Sequence, residues 1–168
     1  MSFTFRGYAQ GVTRTAVSYT SGRMSGMRDA VIFDMDGTLC DTSSIEHFIE
    51  GDEKDFWAFH AASADCPPRT EVVDAAKAEH KAGRAIVVVT SREFQWRDTT
   101  LTWLTKHDVP HEAVYMRIVG DYRKDVLIKT DILEQIKADG FNVVAAWDDK
   151  PAVLDLWREN GIEVNAVG

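Results

Sequence analysis

Apolar runs and amphipathic segments alternate along most of the chain. Five short runs are rich in β-branched, aromatic or small apolar residues, which is typical of strands covered on both faces of a sheet. They span residues 31–33, 84–90, 113–117, 141–147 and 162–167. Segments with helical spacing of apolar residues separate them, over 71–82, 93–108, about 125–138 and 151–161. This alternation predicts an α/β fold with a doubly wound, parallel five-stranded sheet.

The segment 41–70 interrupts the alternation as an insertion. Within it a helix is predicted over residues 52–64. Its aromatic face consists of Phe56, Trp57, Phe59 and His60. The insertion is too small for an independent cap domain, so the site stays open to bulky substrates such as a polymer end. We expect the aromatic face to serve the core or a subunit contact, with a platform for base stacking as the alternative.

The first 28 residues differ in charge from the rest of the chain. They contain four arginines and no acidic residue, so residues 29–168 carry the net charge of −8 minus +4, or −12. We predict a flexible basic leader over 1–28 and a single domain over 29–168. The leader is expected to be an artefact of start-site choice or a passive tail; a basic arm for nucleic acid and an organellar transit peptide are the alternatives.

Composition restricts the cellular setting and the partners. No apolar stretch approaches the ~20 residues of a transmembrane helix, and no secretory apolar core is present, so no membrane contact is expected. Two cysteines, Cys40 and Cys66, are too few for a disulfide framework, which favours a reducing, cytoplasmic location. The acidic domain is a poor non-specific binder of long nucleic acid, so contacts with nucleic acid are expected to be local.

Two carboxylates directly follow the first strand. Asp34 and Asp36 are separated by one residue, and Gly37 and Thr38 come next. Carboxylates this close repel each other unless a cation or a shared proton relieves them, and Mg²⁺ is the natural partner. Gly37 permits a sharp turn, which the Thr38 hydroxyl can fix by bonding a neighbouring backbone group. Because ligands of open α/β sheets bind beyond the carboxyl ends of strands, this is the predicted site.

Polar residues also end the next three strands. They are Thr90-Ser91-Arg92, Arg117 and Asp148-Asp149. A hydroxyl followed by arginine suits a phosphoryl oxygen and a second anionic group, and paired acids suit a shared divalent cation. Lys124 and Lys129 compete for the cationic role at the phosphate, and the residues alone leave that choice open.

The D-x-D-G-T sequence at 34–38 and T-S-R at 90–92 resemble the first two motifs of the haloacid dehalogenase superfamily of phosphohydrolases. The resemblance implies Asp34 as the nucleophile that forms an aspartyl-phosphate and Asp36 as general acid and base. It also implies the spatial strand order fifth, fourth, first, second, third. The strand ends with Asp34 and Asp148 are then neighbours.

Further matching stretches narrow this resemblance. They are VVTSRE at 88–93, MR at 116–117, GDYRKDV at 120–126 with Lys129, WDDK at 147–150, LWR at 156–158 and GIEV at 161–164. Over about residues 29–165 the chain is similar to the phosphatase domain of bacteriophage polynucleotide kinase-phosphatase. That resemblance implies Mg²⁺-dependent removal of 3′-phosphates from nucleic-acid ends or nucleotides.

The resemblance assigns a role to each matched residue. Thr90 and Lys129, rather than Lys124, become phosphate ligands beside the catalytic Asp34 and Asp36. The resemblance implies that three further residues support the active site and contact the substrate, namely Arg92, Arg117 and Asp125. The metal ligands become Asp34, Asp36, Asp148 and Asp149.

One departure from that bacteriophage family and two rival functions complete the interpretation. The sequence contains no G-x-x-x-x-G-K-[ST], so the loop with which a kinase would bind ATP phosphates is absent. The kinase is then expected on another polypeptide or is absent altogether, and a separate kinase or ligase is the partner that the resemblance suggests. The first rival is a small-molecule or 5′-nucleotide phosphatase with the same machinery, which the acidic surface favours. The second is a non-catalytic binding module, which would need none of these residues.

Overall fold

A six-stranded sheet forms the centre of the protein. The computed structural model describes residues 16–18 and 26–168. The strands are β1 (Ala16–Ser18), β2 (Arg28–Asp34), β3 (Ala85–Glu93), β4 (Ala113–Arg117), β5 (Phe141–Asp148) and β6 (Glu163–Ala166). Their order across the sheet is β1-β4-β3-β2-β5-β6. Strands β2 to β6 are mutually parallel, which confirms the predicted five-stranded parallel sheet and its order.

Strand β1 lies at the edge of the sheet and is antiparallel to β4, with Ala16 opposite Tyr115. It falls within the segment 1–28 that the sequence indicates as a leader. The remainder of that segment, apart from residues 26–28, lies outside the described residues, so the leader stays a prediction.

Within the described residues, five α-helices connect and cover the strands. They are α1 (Phe56–Ala62), α2 (Thr70–Lys81), α3 (Arg97–Lys106), α4 (Asp125–Ala138) and α5 (Pro151–Glu159). The predicted helix at 93–108 begins later, because β3 continues to Glu93 and only a 3-10 turn over Phe94–Trp96 separates it from α3. An irregular register between Thr90 and Glu93 lets Glu93 pair with Arg117 beyond the end of the apolar run.

Side chains of β2 alternate between two apolar layers. Val31 and Phe33 join one layer with residues such as Trp103, whereas Ala30 and Ile32 join the other with residues such as Trp157. Residues 30–33 are all fully buried, as expected for a central strand between two helical layers. Burial on both faces fixes the strand that carries the first two carboxylates.

The insertion at 41–70 packs on the first of these layers. Phe59 of α1 is 4% exposed and contributes to the core, and Asp55 caps the helix by accepting a 2.8 Å hydrogen bond from the Ala58 amide. Trp103 Nε1 donates to the Cys66 carbonyl at 2.8 Å, which ties the insertion to α3. The predicted small insertion in place of a cap domain is confirmed. Among the helices that the structure describes, none combines the length and the apolar character that crossing a bilayer requires.

Candidate active site

A tight turn follows β2 and presents the first two carboxylates. Gly37 has φ +80° and donates to the Cys40 carbonyl at 2.9 Å, while the Cys40 amide donates to the Met35 carbonyl at 2.9 Å. Thr38 Oγ1 donates to Asp34 Oδ2 at 3.2 Å. The hydroxyl therefore contacts the Asp34 carboxylate and not the backbone group that the sequence analysis expected.

Lys129 lies between two carboxylates from adjacent strands. Its Nζ is 2.9 Å from Asp34 Oδ1 and 2.7 Å from Asp148 Oδ2. Only 1% of Lys129 is exposed, and Asp34 and Asp148 are also buried. The two carboxylates supply the partners that a buried ammonium group requires.

The buried charges around Lys129 shift the pKa values of Lys129 and Asp34. Burial lowers the pKa of Lys129, but Asp34 and Asp148 outweigh burial and raise it above the ordinary lysine value. Burial raises the pKa of Asp34; Lys129 opposes this, and the charges of Asp148 and Asp149 raise it further. Lys129 therefore stays protonated, while the acids around it repel one another.

Asp36 has a different environment, although it is only two residues from Asp34. Arg92 Nε and Nη2 donate to the two oxygens of its carboxylate at 2.9 and 2.5 Å. Arg92 is 1% exposed, and its Nη1 donates to Thr100 Oγ1 at 3.1 Å. Burial alone would raise the pKa of Asp36, but the bidentate contact with Arg92 outweighs it and lowers the pKa.

Three carboxylates form a group that could hold a cation. Asp34, Asp148 and Asp149 each offer an oxygen within 4.8 Å of the others. Asp149 Oδ1 is buried and has no hydrogen-bond partner among the described residues, and burial with the charge of Asp148 raises the pKa of Asp149. An orphaned buried carboxylate oxygen beside two further carboxylates fits a divalent cation.

Gly37 borders this group closely, since an added Cβ would lie 2.3 Å from Asp149 Oδ2. The carboxylate of Asp36 is outside the group, because Arg92 contacts both of its oxygens. Its place among the metal ligands stays a prediction.

Arg117 and Asp125 form a second polar network at the same end of the sheet. Arg117 donates to the carbonyls of Ser91, Asp121 and Arg123 at 2.9, 2.7 and 2.7 Å, and to Asp125 Oδ1 at 2.6 Å. Asp125 also forms an ion pair with Lys150. Every nitrogen of the Arg117 guanidinium is therefore engaged, Nε with β3, Nη1 with the loop before α4, and Nη2 with the first residue of α4. A contact between Arg117 and substrate stays a prediction.

The remaining predicted residues are placed as follows. Thr90 is 1% exposed, and its Oγ1 accepts from the Arg92 amide at 3.2 Å; its contact with a phosphoryl oxygen stays a prediction. Lys124 is exposed at the N-cap of α4, whereas Lys129 is buried one turn further along that helix. The structure thus brings Lys129, and not Lys124, to the carboxylates.

Sequence reasoning missed two residues of the site. Thr100 supports Arg92 from α3, and nothing in its sequence surroundings marks it. Lys150 pairs with Asp125, and its position directly after two acids was a usable signal. The choice of Lys129 also had a signal, because it shares the buried stripe of α4 with Ile132, Leu133 and Ile136.

Comparison with protein families settles the class of this site. The model of the polynucleotide kinase PNKP phosphatase domain matches residues 28–168. This chain belongs to that family. It is therefore a phosphatase of the haloacid dehalogenase type, as the motifs predicted.

This phosphatase domain is similar to parts of longer proteins. A protein of Autographa californica nuclear polyhedrosis virus, assigned as a bifunctional polynucleotide kinase/RNA ligase, is 27% identical over 132 residues, which are 77% of this chain and 18% of the viral protein. A chain in the solved Pnkp1/Rnl/Hen1 RNA repair complex is 25% identical with a TM-score of 0.73, over 89% of this chain and 46% of that chain. The phosphatase domain thus spans less than a fifth of the viral relative and about half of the other.

A more distant neighbour shares the fold. The class C acid phosphatase of Bacillus anthracis, solved with tungstate, is 16% identical with a TM-score of 0.58, over 74% of this chain and 53% of that chain. The common fold extends beyond enzymes of polynucleotide repair.

Replacing Gly37 by alanine should separate backbone strain from the steric fit at Asp149. A Cβ at positive φ costs about 1–2 kcal/mol, and at Gly37 it would also displace the Asp149 carboxylate. Gly83, with φ +90° and nothing within 4 Å of an added Cβ, is the matched control. We expect both variants to lose free energy of unfolding in urea, Gly37→Ala the more because of its clash with Asp149, but only Gly37→Ala to lose phosphatase activity by tenfold or more. Equal activities of the two variants would contradict this account.

Asp125 should make stability depend on acid pH. Burial raises its pKa, but Lys150 and Arg117 outweigh burial and lower it. Its stabilisation is therefore complete above the unfolded carboxyl pKa, about 4, and is lost as pH falls through the lower folded value. Asp125→Asn should cost roughly 1–3 kcal/mol in urea unfolding at pH 7 and less at pH 3. Asp155→Asn, which removes an exposed pair with Arg158, is the control and should change little at either pH.

Proposed function

We propose that this domain is a Mg²⁺-dependent phosphomonoesterase that removes 3′-phosphates from nucleic-acid ends or nucleotides through an aspartyl-phosphate on Asp34. The observation that carries the proposal is the separation of two nearby carboxylates into different electrostatic environments. Asp34 contacts Lys129 inside a buried acidic group, whereas Asp36 is held by Arg92. Two such environments suit one nucleophile and one proton carrier.

In the first step Asp34 attacks the phosphorus atom. A bond forms between a carboxylate oxygen and phosphorus, the bond from phosphorus to the ester oxygen breaks, and that oxygen takes a proton from Asp36. Lys129, which contacts Asp34, and the Thr90 hydroxyl would donate hydrogen bonds to phosphoryl oxygens. In the second step water attacks the aspartyl-phosphate and gives a proton to Asp36, which releases phosphate and restores both acids.

Arg92 explains how Asp36 can serve both steps. Its two hydrogen bonds fix the carboxylate and lower the pKa, which favours the ionised form that accepts a proton from water. The negative charge of an incoming phosphate acts in the opposite sense and favours the protonated form needed in the first step. The contact with Arg92 thus positions Asp36, whose protonation would change when the substrate binds.

Asp34, Asp148 and Asp149 are the residues that would hold Mg²⁺, with Asp36 as the further predicted ligand. When bound, the cation supplies positive charge that offsets the phosphoryl oxygens and the clustered carboxylates. The orphaned oxygen of Asp149 and the close fit at Gly37 support this assignment.

Support for a nucleic-acid substrate comes from the family and from the small insertion in place of a cap domain. One relative belongs to a complex described as an RNA repair complex, and another is assigned as a kinase and ligase. We propose that a kinase or ligase on a further domain or a separate chain processes the same ends. The acidic net charge of −8 favours a rival, a phosphatase of 5′-nucleotides or other small molecules.

Phosphate release from matched substrates tests the proposed function. The substrates are 3′- and 5′-phosphorylated oligonucleotides and 3′- and 5′-mononucleotides, each with Mg²⁺ and with EDTA. We expect release from the 3′ substrates alone, loss of release in EDTA, and no turnover by Asp34→Asn, because an amide cannot serve as the nucleophile. Release from the 5′ substrates would contradict the proposed 3′ specificity. Retained turnover by Asp34→Asn would contradict the aspartyl-phosphate mechanism.

The two lysines of α4 provide a matched pair of variants. Lys129→Ala removes a buried hydrogen-bond donor to the phosphoryl group and should lower kcat by about 10²–10³-fold. Lys124→Ala removes an exposed charge at the start of the same helix and should stay within twofold of the parent protein. Thermal unfolding of both variants checks that each is folded. Loss of activity in Lys124→Ala with retained activity in Lys129→Ala would show that the phosphate-binding role was assigned to the wrong lysine.

A further inference from the structure

Three aromatic rings form a cluster between α1 and the 3-10 turn that follows β3. The ring centroids of Trp57 and Trp96 are 4.7 Å apart, and those of His60 and Trp96 are 5.5 Å apart. We refer to Trp57, His60 and Trp96 as the aromatic cluster. Trp57 is 66% exposed, so most of one large ring in this cluster faces solvent.

Hydrogen bonds connect this cluster to the proton carrier of the active site. The Trp96 carbonyl accepts from Thr100 Oγ1 at 2.9 Å, and Thr100 Oγ1 accepts from Arg92 at 3.1 Å. Arg92 in turn holds Asp36. The charges of Asp36 and Arg92 also act on the ring of His60. The aromatic cluster therefore borders the active site on the side of Asp36 and Arg92.

Core packing accounts for only part of the aromatic face of α1. Phe59 is buried and joins the apolar layer against the sheet, but the neighbouring Trp57 does not. Burial lowers the pKa of His60 to about 4, so the cluster carries no charge at neutral pH. An uncharged, exposed aromatic surface beside a phosphate site suits the flat face of a base better than a second phosphate.

We propose that Trp57, supported by His60 and Trp96, stacks against the nucleobase next to the 3′-phosphate that the active site removes. This inference rests on the proposed function and specifies its substrate further. Stacking is sequence-tolerant, because every base has a π face. The subsite would therefore select for the presence of a base and not for its identity.

The test compares two short 3′-phosphorylated oligonucleotides that differ only at the last nucleotide, which carries either a base or an abasic sugar. With Mg²⁺, we expect the protein to show a kcat/KM about tenfold higher on the substrate with the base, mainly through KM, in line with the contribution of one stacked base. Trp57→Ala should remove this preference, and Trp57→Phe should restore most of it. Phe56→Ala is the matched control, since Phe56 is 54% exposed on the same helix but makes no ring contact with the cluster in the described residues.

The outcomes separate this inference from the function on which it rests. Equal use of both substrates by the parent protein, or an unchanged preference in Trp57→Ala, would overturn the stacking subsite and leave the 3′-phosphatase activity standing. Loss of the preference in Phe56→Ala as well would also overturn it, because the effect would then belong to the whole helix. No release from either substrate would overturn the proposed function and the subsite together.

Discussion

The structure depends on the buried ammonium group of Lys129, which lies between two carboxylates. Lys129 comes from a helix on one face of the sheet, while Asp34 and Asp148 end neighbouring strands, so their contacts join three elements at one point. Each ion would be costly to bury alone, and removing one partner would leave an uncompensated charge. The same three groups carry proposed roles in the chemistry, Lys129 as a phosphate ligand and the two carboxylates as part of the acidic group that could hold a cation. The need to satisfy buried charges and the needs of the chemistry therefore fix the same positions.

A second ion pair, between Arg92 and Asp36, gives Asp36 an environment different from that of Asp34. Asp36 is drawn away from the acidic group by Arg92, which is supported in turn by Thr100. Two acids that are neighbours in sequence thus acquire opposite pKa shifts from separate sets of contacts. The backbone then turns at Gly37, directly after Asp36, where φ is +80°.

Much of this arrangement could be predicted from the chain itself. Apolar runs located the parallel strands, and polar residues at the strand ends indicated which side chains would meet, because parallel strands end at the same edge. Contacts that depend on tertiary geometry could not be predicted in this way. The β3 register shift, which carries pairing to Glu93, and the hydroxyl of Thr100 have no local sequence signature. Lys129 differs, since its position in an apolar stripe distinguishes it from the exposed Lys124.

The ion pair of Lys129 with Asp34 joins residues 95 positions apart, and its pair with Asp148 joins residues 19 positions apart. Each ion pair is complete only when β2, β5 and α4 have come together. A partly folded chain therefore lacks the complete arrangement of catalytic groups. Turnover would report the assembled native state.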